Sequence, residues 1–329
     1  MTVQRRSTVV SALLAIVALV AACGGSSGPL GSVPAPSSTA EPSVVLGSPD
    51  LTPAPSQGPS TEPTTSPDGS IAPSPSPSPS SGSTGTMTVR AYFWLDGPPG
   101  SAGPVAVLRE IPATKGVASA ALSQLLAGPT AGETSRKISS QIPDGTQLLG
   151  LTIDKDGLAT VDLSSEFTTG GPGAAYQTRL AQVVYTLTQF PTVRAVLFQV
   201  EGRTVTTFGP EGIVLDGPQA RKDFEELLPS IFVDRPAFGA AAGNPVRITG
   251  NANVFEATFR IALLDASGKV LVDQQAMATC GSGCRGTFDA TLQYDVPKAQ
   301  YGTLRVYFGS AQDGSPQDIR DYPVWLTPN

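Results

Sequence analysis

The order of apolar and polar positions divides the chain into three regions. Up to residue 86, beyond a short apolar stretch near the N-terminus, few apolar residues are present to form an element. Residues 87–229 mix alternating runs with runs of helical spacing, whereas residues 230–329 contain only short alternating runs separated by turns. We therefore predict two folded domains, 87–229 and 230–329, preceded by sequence that does not fold.

Strand and helix periods occur together in the first folded region. Apolar residues at every second position predict strands, and an i, i+4, i+7 spacing predicts helices. Arg221 and Glu225, four residues apart in the run at 218–229, have the spacing of a helical ion pair. Since hairpins and crossovers are mixed, we predict an α+β domain. The patterns place strands at 88–95, 104–111 and 193–200, a hairpin over 148–164, helices over 115–127 and 174–189, and a short helix over 218–229.

The second folded region contains no helical period. Six or seven short alternating runs, with turns between them, follow one another from about residue 230 onwards. Such regular spacing of short strands is typical of a sandwich of two antiparallel sheets. We therefore predict an all-β sandwich.

One carboxylate interrupts the apolar run GNANVFEATFR at 250–260. On a strand, Phe255 and Phe259 would face the core, while Glu256 and Arg260 would face outward. We interpret Glu256 as an outward residue on a solvated strand face, with a partner-binding face as the alternative. A catalytic role for Glu256 is not favoured.

The N-terminus has the pattern of a secretory signal. Arg5 and Arg6 precede an apolar segment, Val9 to Ala22, that is shorter than the roughly 20 residues of a membrane-spanning helix. The residues VAAC at 20–23 resemble a bacterial lipobox, which implies a signal peptide over 1–22 and lipidation of Cys23. Acyl chains would then hold the protein on a membrane. The alternative is an ordinary secreted protein with an incidental cysteine.

Residues 23–86 have the composition of a tether. The sequence after Cys23 is almost entirely Pro, Ser, Gly, Thr and Ala and includes PSPSPSPS at 73–80. Such a segment cannot bury enough apolar surface to offset the entropy of ordering it, so we predict a disordered linker.

Composition and charge exclude several function classes. The chain contains no histidine, which removes the commonest general base, Ser-His and Cys-His nucleophile pairs, and histidine-containing zinc sites. Loss of two arginines with the signal peptide changes the formal net charge from −6 to −8. An acidic chain without a basic cluster does not favour nucleic acid as a partner. Proteins or glycans are the expected partners.

Two cysteines lie close together in the sandwich region, in the string CGSGC. Gly281 and Gly283 give the backbone freedom to bring the α-carbons of Cys280 and Cys284 within bonding distance. In an oxidising compartment we expect a structural disulfide that fixes a turn. Redox catalysis is the alternative, although the spacing differs from Cys-x-x-Cys.

The acidic and hydroxyl side chains of the first domain offer weak candidates for chemistry. The string DKDG at 154–157 resembles the start of a calcium loop but lacks further ligands, and a hairpin turn explains it. Asp162 and Glu166 are the best carboxylate pair for a glycan hydrolase, with capping or solvation of the following helix as the favoured interpretation. Ser164 and Ser165 have no base nearby in the sequence, so no nucleophile is predicted.

Two sets of strings resemble known modules. In order over residues 88–215, VRAYFWLDG, ALSQLLAGPT, IPDGTQLLGLTI, GLATVDLSSEF and LAQVVYTLTQFPTVRAVLFQVEG resemble the GerMN domain, the sporulation and spore germination module. Over residues 231–327, VRITGNANVFEATFRIALLDASGKVL, GTFDATLQY and GTLRVYFGSAQDGS resemble the immunoglobulin-like domain of bacterial spore germination proteins. The resemblance therefore implies a GerMN-like α+β domain followed by an immunoglobulin-like β-sandwich.

The same resemblance implies an extracytoplasmic, membrane-anchored architecture and a role in assembly of the cell envelope. GerMN-type modules are similar to ring-building folds of sporulation complexes, which act by self-association or by docking on neighbours. No catalytic residue, cofactor or metal ligand is carried over by the resemblance, and the binding residues stay unknown.

Three functions agree with these features of the sequence. The favoured one is a non-enzymatic lipoprotein on the outer face of the cell membrane, with a scaffolding or binding role towards an envelope protein or a second copy of itself. The second is a peptidoglycan- or glycan-binding module, for which exposed Tyr92, Trp94 and Trp325 could form a groove, although burial is the expectation for each. The third is a carboxylate-based glycan hydrolase.

Overall fold

A computed structural model describes residues 85–328 of the chain. The predicted signal peptide, the lipidation site Cys23 and the tether up to residue 84 lie outside the described residues. Both predicted domains fall within one compact unit.

The first domain is a mixed α+β structure, as its sequence pattern predicts. Short 3-10 helices occupy Ser165–Thr168 and Arg221–Leu227, so the element predicted at 218–229 is a 3-10 helix. The regular elements, numbered along the chain, are β1 (Thr86–Leu95), β2 (Gly103–Pro112), α1 (Val117–Leu126), α2 (Ala131–Thr134), β3 (Ile138–Ser139), β4 (Leu148–Ile153), β5 (Leu158–Leu163), α3 (Gly173–Leu187), β6 (Ala195–Val200), β7 (Arg203–Thr204), β8 (Thr207–Phe208) and β9 (Ile213–Val214).

These strands form a three-stranded sheet of order β2-β1-β3, a four-stranded sheet of order β4-β5-β6-β7, and the pair β8-β9. Strands β5 and β6 are parallel, with α3 as the crossover between them. Helix α3 is buried along most of its length because it also packs on α1 and β1. It is therefore the centre of the first domain.

Helix α3 also satisfies the edge of β1 with side chains. The backbone N–H of Tyr92 donates to Thr186 Oγ1 at 3.0 Å, and Gln182 Nε2 donates to the Tyr92 carbonyl at 3.2 Å. Gln189 repeats the arrangement, accepting from Arg90 N at 2.9 Å and donating to Arg90 O at 2.6 Å. These side chains substitute for a neighbouring strand, so the buried backbone groups of β1 are paired.

The second domain is a two-sheet β structure, which confirms the predicted sandwich. Its sheets have the orders β10-β12-β15 and β11-β17-β16-β13-β14. The strands are β10 (Ile231–Arg235), β11 (Ala241–Ala242), β12 (Val246–Ala252), β13 (Thr258–Leu264), β14 (Val270–Met277), β15 (Gly286–Leu292), β16 (Gln300–Gly309) and β17 (Pro316–Leu326).

A single buried apolar cluster extends through both domains. Within the sandwich, the rings of Phe259 and Phe288 meet edge to face with centroids 4.8 Å apart. Across the domain boundary, Phe232 of β10 meets Tyr185 of α3 edge to face at 5.8 Å. The continuity of this core means that the two domains bury apolar surface against each other.

The expected position of Glu256 on a strand is wrong. Residues Phe255–Ala257 form a 3-10 turn before β13, and Glu256 and Ala257 both have left-handed backbone, with φ of 56° and 57°. Phe255, expected in the core, is 64% exposed. The alternating pattern extends past the true start of the strand, and the left-handed residues break the alternation there. Glu256 is exposed on this turn.

Candidate functional site

A cluster of charged and phenolic groups lies where the two domains meet. Asp234, on β10 of the sandwich, accepts hydrogen bonds from Tyr92 Oη at 2.5 Å and from Arg90 Nη1 at 3.0 Å, both on β1. Arg221, in the 3-10 helix, donates to Asp234 Oδ1 at 3.3 Å. We call these four residues the Asp234 cluster. Its contacts span 142 to 144 residues of sequence between β1 and β10.

Arg221 holds this cluster to helix α3 as well. Its Nε donates to Thr188 Oγ1 at 2.8 Å and its Nη2 to the Tyr185 carbonyl at 3.2 Å. The guanidinium also lies 4.6 Å from the centre of the Tyr185 ring, within the range of a cation–π contact. Arg221 thus joins the end of α3 to the first strand of the sandwich.

Burial and charge act in opposite directions on the groups of the cluster. Burial alone would raise the pKa of Asp234, but the guanidinium groups of Arg221 and Arg90 hold that pKa below its ordinary value. Burial, with Asp234 beside it, raises the pKa of Tyr92 to about 12. At neutral pH, Asp234 is therefore ionised and Tyr92 is a neutral donor to it.

A second buried cation joins the domains without a carboxylate. Arg320, on β17, is 2% exposed and donates to the carbonyls of Ser101 at 2.7 Å, Gly103 at 3.3 Å and Pro104 at 2.7 Å. Its guanidinium lies 5.2 Å from the centre of the Tyr322 ring. Burial lowers the pKa of Arg320, yet an arginine stays charged at physiological pH. Arg320 therefore attaches the loop before β2 to the sandwich.

Asp162 and Glu166, the candidate carboxylate pair for which capping or solvation is the favoured interpretation, lie near the end of β5 and in the 3-10 helix that follows it. Asp162 Oδ1 accepts from the Gly202 N–H at 2.9 Å. Glu166 is exposed, and a hydrogen bond from Ser164 lowers its pKa. A general acid of a glycan hydrolase needs a raised pKa, so the environment of Glu166 has the opposite effect.

The serines beside them are also engaged. The buried Ser164 accepts from the Gln147 N–H at 2.9 Å, and the backbone N–H of Ser165 donates to Glu201 Oε1 at 2.9 Å. The first bond ties the end of β5 to the residue before β4, and the second ties it to the turn between β6 and β7.

The DKDG segment is a hairpin turn, as predicted. Asp154 Oδ1 accepts from the N–H groups of Asp156 and Leu158, both at 2.9 Å, and Gly157 has a φ of 84°. The Asp154 carboxylate therefore caps its own turn. Within residues 85–328, no group of three or more Cys, Asp or Glu side chains is arranged to hold a metal ion.

Cys280 and Cys284 form a disulfide, with their α-carbons 5.8 Å apart. The turn that it closes packs on the turn containing Glu256. Ser282 Oγ accepts from the Glu256 N–H at 2.9 Å, and a side chain at Gly281 would collide with the Ala257 backbone. The disulfide therefore fixes two adjacent turns, and Glu256 contributes its backbone to them.

The three aromatic residues considered for glycan binding do not form one groove. Tyr92 is fully buried in the Asp234 cluster, and Trp94 is half-buried on β1. Trp325 is half-buried on β17 and meets the 55% exposed Tyr301 edge to face, with ring centroids 4.8 Å apart. Only Trp325 thus lies in an exposed aromatic pair.

Several open grooves border the domain junction, and two of them lie beside the disulfide turn and the Asp234 cluster. One, of about 320 Å³, lies beside the disulfide turn and is lined by Glu225, Glu226 and Arg285. The other, of about 470 Å³, lies against the Asp234 cluster and is lined by Arg221, Asp234 and Phe232 together with polar residues of β12 and β15. Arg221 and Asp234, which line this second groove, already bind each other. The Asp234 cluster therefore joins the two domains and does not present a free acid or base to the groove.

Sequence reasoning missed the residues that make this junction. Arg320 contacts carbonyls that are 216 to 219 residues away, and no local pattern links them. The signal for such buried charges in the sequence is a charged residue beside an apolar run. Asp234 directly follows IFV, and Arg320 lies within IRDYPVWL.

Comparison with known proteins gives matches for both domains. Residues 91–206 match the family described as sporulation and spore germination, and residues 230–315 match the immunoglobulin-like domain of bacterial spore germination. A search of curated proteins found no significant match. Within the described residues, no helix has the length and apolar character needed to span a bilayer.

Two solved structures from Bacillus subtilis are similar to parts of the chain. The first GerMN domain of the sporulation protein GerM is 24% identical, with a TM-score of 0.36, over 42% of this chain and 99% of that domain. The tandem GerMN domains of GerM are 16% identical, with a TM-score of 0.36, over 74% of this chain and 62% of that structure.

The description of the second family, an immunoglobulin-like domain, agrees with the two-sheet architecture of that region. The two family descriptions support a sporulation-related function, and neither description names an enzyme. The chain therefore joins a GerMN-type sporulation and spore germination domain to an immunoglobulin-like domain of bacterial spore germination.

Proposed function

We propose that this protein is a non-enzymatic scaffold of the cell envelope, anchored to the outer face of the membrane by lipid on Cys23. In this proposal the two domains act as one rigid body that binds an envelope protein. The lipobox-like residues VAAC support the anchor, and the proline- and serine-rich residues 24–86 would hold the folded part away from the membrane.

The observation that carries the proposal is how the buried charges are used. Asp234 is half-buried beside a groove and Arg320 is buried, and each is bound to the other domain. Buried polar networks of this kind favour one fixed arrangement of the parts they connect. A fixed arrangement of two domains is what a scaffold requires.

A groove on the first domain offers a surface for a protein partner. It has a volume of about 420 Å³ and lies between α3, β9 and the 3-10 helix, with Val214, Lys222 and Phe224 among its lining residues. Val214 is 65% exposed at its rim. We place the partner contact at this groove, where the exposed Val214 lies beside Lys222.

Photo-crosslinking in intact cells tests the binding role. A photo-reactive amino acid at Val214 should capture an envelope protein, whereas the same amino acid at Asp156, in the exposed hairpin turn, serves as the control site. Capture at both sites or at neither would contradict a specific contact at the groove.

Cell fractionation tests the anchor separately. Cys23→Ala should move the protein from the membrane fraction to soluble material, because the acyl chains would no longer be attached. Retention of Cys23→Ala in the membrane fraction would refute anchoring by lipid.

Glycan binding is the second candidate, and it now rests on a different aromatic residue. Tyr301, beside Trp325, lines a groove of about 580 Å³ together with Arg136 and Asp321. An exposed aromatic ring next to charged groups can stack on a sugar. Sedimentation with purified sacculi should be lost in Tyr301→Ala if glycan is the partner, and absence of wild-type sedimentation would exclude this function.

A further inference from the structure

We infer that two copies of this chain pair through strand β14, in antiparallel register about Gln274. The pairing would join the five-stranded sheets of two sandwiches into one continuous sheet. It goes beyond the proposed scaffold role, because such a dimer would form without a membrane or any other protein.

Strand β14 is the edge of its sheet. It is hydrogen-bonded to β13 on one side, from Thr258 opposite Met277 to Leu264 opposite Val270. In the part of the chain that the structure describes, no strand lies on its other side. A free edge presents a row of backbone donors and acceptors and so favours pairing with another strand.

The other edges carry features that oppose pairing. Strands β3, β7 and β11 are two residues long. Irregularities of register leave only four regularly paired residues in β4 and three in β10, against six in β14, whose own irregularity lies at Leu271. Short edges and bulges are common protection against edge-to-edge association.

The two remaining long edges are occupied by neighbouring segments. Along β2, the backbone N–H of Phe238 donates to the Ala106 carbonyl at 2.8 Å. Along β15, the Thr279 N–H donates to the Thr287 carbonyl at 2.9 Å. In contrast, β14 has eight residues, contains no proline or lysine, and exposes Val270 by 51% and Met277 by 66%.

The sequence of β14 is complementary to itself in one symmetric register. Two antiparallel copies related by a two-fold axis place residue i opposite residue j with a constant sum of numbers. When Gln274 lies on the axis, Val272 faces Ala276 of the other copy. Asp273 then faces Gln275, so apolar groups meet apolar groups and the carboxylate meets an amide.

The register also matches the two faces of the sheet. Val272 and Ala276 lie opposite the buried Leu263 and Phe259 of β13, on the core side. Leu271, at the irregularity of register, also packs against the core, and Met277 lies on the other side. The core side of one sandwich would therefore continue into that of the other.

The neighbouring symmetric registers are less favourable. A two-fold axis at Asp273 would place two carboxylates opposite each other, and an axis at Gln275 would place Asp273 opposite Met277. Asp273 is also held by its own sheet, since its carboxylate accepts from Arg260 Nε at 2.9 Å and from Tyr307 Oη at 2.8 Å. The register about Gln274 leaves these bonds in place.

A second copy fits this edge better than the tether does. Between Pro29 and Pro79 no run of eight residues lacks proline, and proline cannot donate a ladder hydrogen bond. The opposite edge of the same sheet is the two-residue β11, so pairing at β14 closes as a dimer and does not extend into a fibre.

Sedimentation of the purified full chain over a concentration series tests the inference. We expect the wild type to shift from the mass of one chain to that of two. Gln274→Lys should stay at one chain at the same concentrations, because it places two lysines across the axis. Gln312→Lys, which adds the same charge in an exposed turn, should behave as wild type.

A cross-link tests the register. In a Cys23→Ser background, Gln274→Cys should give a two-chain product with a short bifunctional maleimide, and Thr291→Cys, exposed on β15, should not. A wild type of one chain at every concentration, a dimer unaffected by Gln274→Lys, or no Gln274→Cys product would each overturn the inference. Protection from hydrogen exchange of the β14 amides that do not bond to β13, in a one-chain protein, would also overturn it, by showing that another segment fills the edge. None of these results bears on the photo-crosslinking at Val214.

Discussion

Two buried arginine sites hold the domains together, and they neutralise their charge differently. At the Asp234 cluster, a carboxylate lies between the guanidinium groups of Arg90 and Arg221. At Arg320, three backbone carbonyls surround the cation and no carboxylate is bound to it. The first site depends on an acid that can be protonated, whereas the second has no titratable acceptor.

One junction thus combines a pH-sensitive contact with a pH-insensitive one. The Asp234 cluster connects side chain to side chain, so its geometry needs all four members. Arg320 instead donates to the backbone carbonyls of Ser101, Gly103 and Pro104, and so depends on the backbone conformation of residues 101–104. Loss of Arg320 would therefore release a loop, and loss of Asp234 would leave two cations facing each other.

The largest effect is expected for Asp234→Ala. Removing the carboxylate leaves the partly buried cations Arg90 and Arg221 facing each other without their partner, which costs about 3–4 kcal/mol in the free energy of unfolding. Urea denaturation measures it. Asp289→Ala, which breaks the exposed contact with Arg247, is the matched control and should leave the stability unchanged. Equal effects of the two substitutions would contradict the role of Asp234.

Arg320→Met should have the next largest effect. Methionine keeps much of the side-chain volume but leaves the carbonyls of Ser101, Gly103 and Pro104 without a donor, which costs about 2–4 kcal/mol. Since the loss of the desolvated charge offsets part of this cost, we expect a smaller effect than for Asp234→Ala. Hydrogen exchange should show faster exchange in residues 97–104 of the variant. An unchanged loop would show that Arg320 does not hold it.

The acid dependence of stability distinguishes the two sites. Because the folded-state pKa of Asp234 is lowered, its contribution is fully present above the ordinary carboxyl pKa of about 4 and is lost as the pH falls through the lower folded-state value. Wild type and Arg320→Met should therefore lose stability on acidification more steeply than Asp234→Asn does. Urea denaturation at a series of pH values measures the slopes, and equal slopes for all three proteins would contradict the assignment.

The smallest effect is expected for Cys280→Ser with Cys284→Ser. A disulfide that closes so short a loop constrains the unfolded chain little, so its loss should cost about 2 kcal/mol or less. Thermal unfolding with and without reductant measures it, with the double variant as the reference. If reductant also lowered the melting temperature of the double variant, the disulfide would not be the cause of the reductant effect in the wild type. Peptide mapping of the exported protein under non-reducing conditions should find the two cysteines linked.

Periodicity predicted the strands and helices because most of them bury one face. It failed at Glu256, since two residues with left-handed backbone end the alternation in a turn that sequence pattern does not mark. It also gave Arg221 the wrong partner. The predicted helix is a 3-10 helix, and Arg221 turns towards Asp234 instead of Glu225.

The junction itself could not be predicted from local sequence. Tyr92 fits an ordinary strand pattern, and only the packing of β1 against β10 and the 3-10 helix makes it a buried donor. Contacts between residues more than 100 positions apart depend on how the two domains dock, which no single motif encodes. The family resemblance predicted both folds but did not predict their contact.

The central claim is that the two domains behave as one rigid body. The chain has one tryptophan in each domain, Trp94 and Trp325, so fluorescence of Trp94→Phe and of Trp325→Phe follows the domains separately. Circular dichroism first measures how much each substitution itself changes the stability. After correction for that change, both proteins should unfold in urea in one transition with the same midpoint. Two transitions, with one domain still folded where the other has unfolded, would contradict the account.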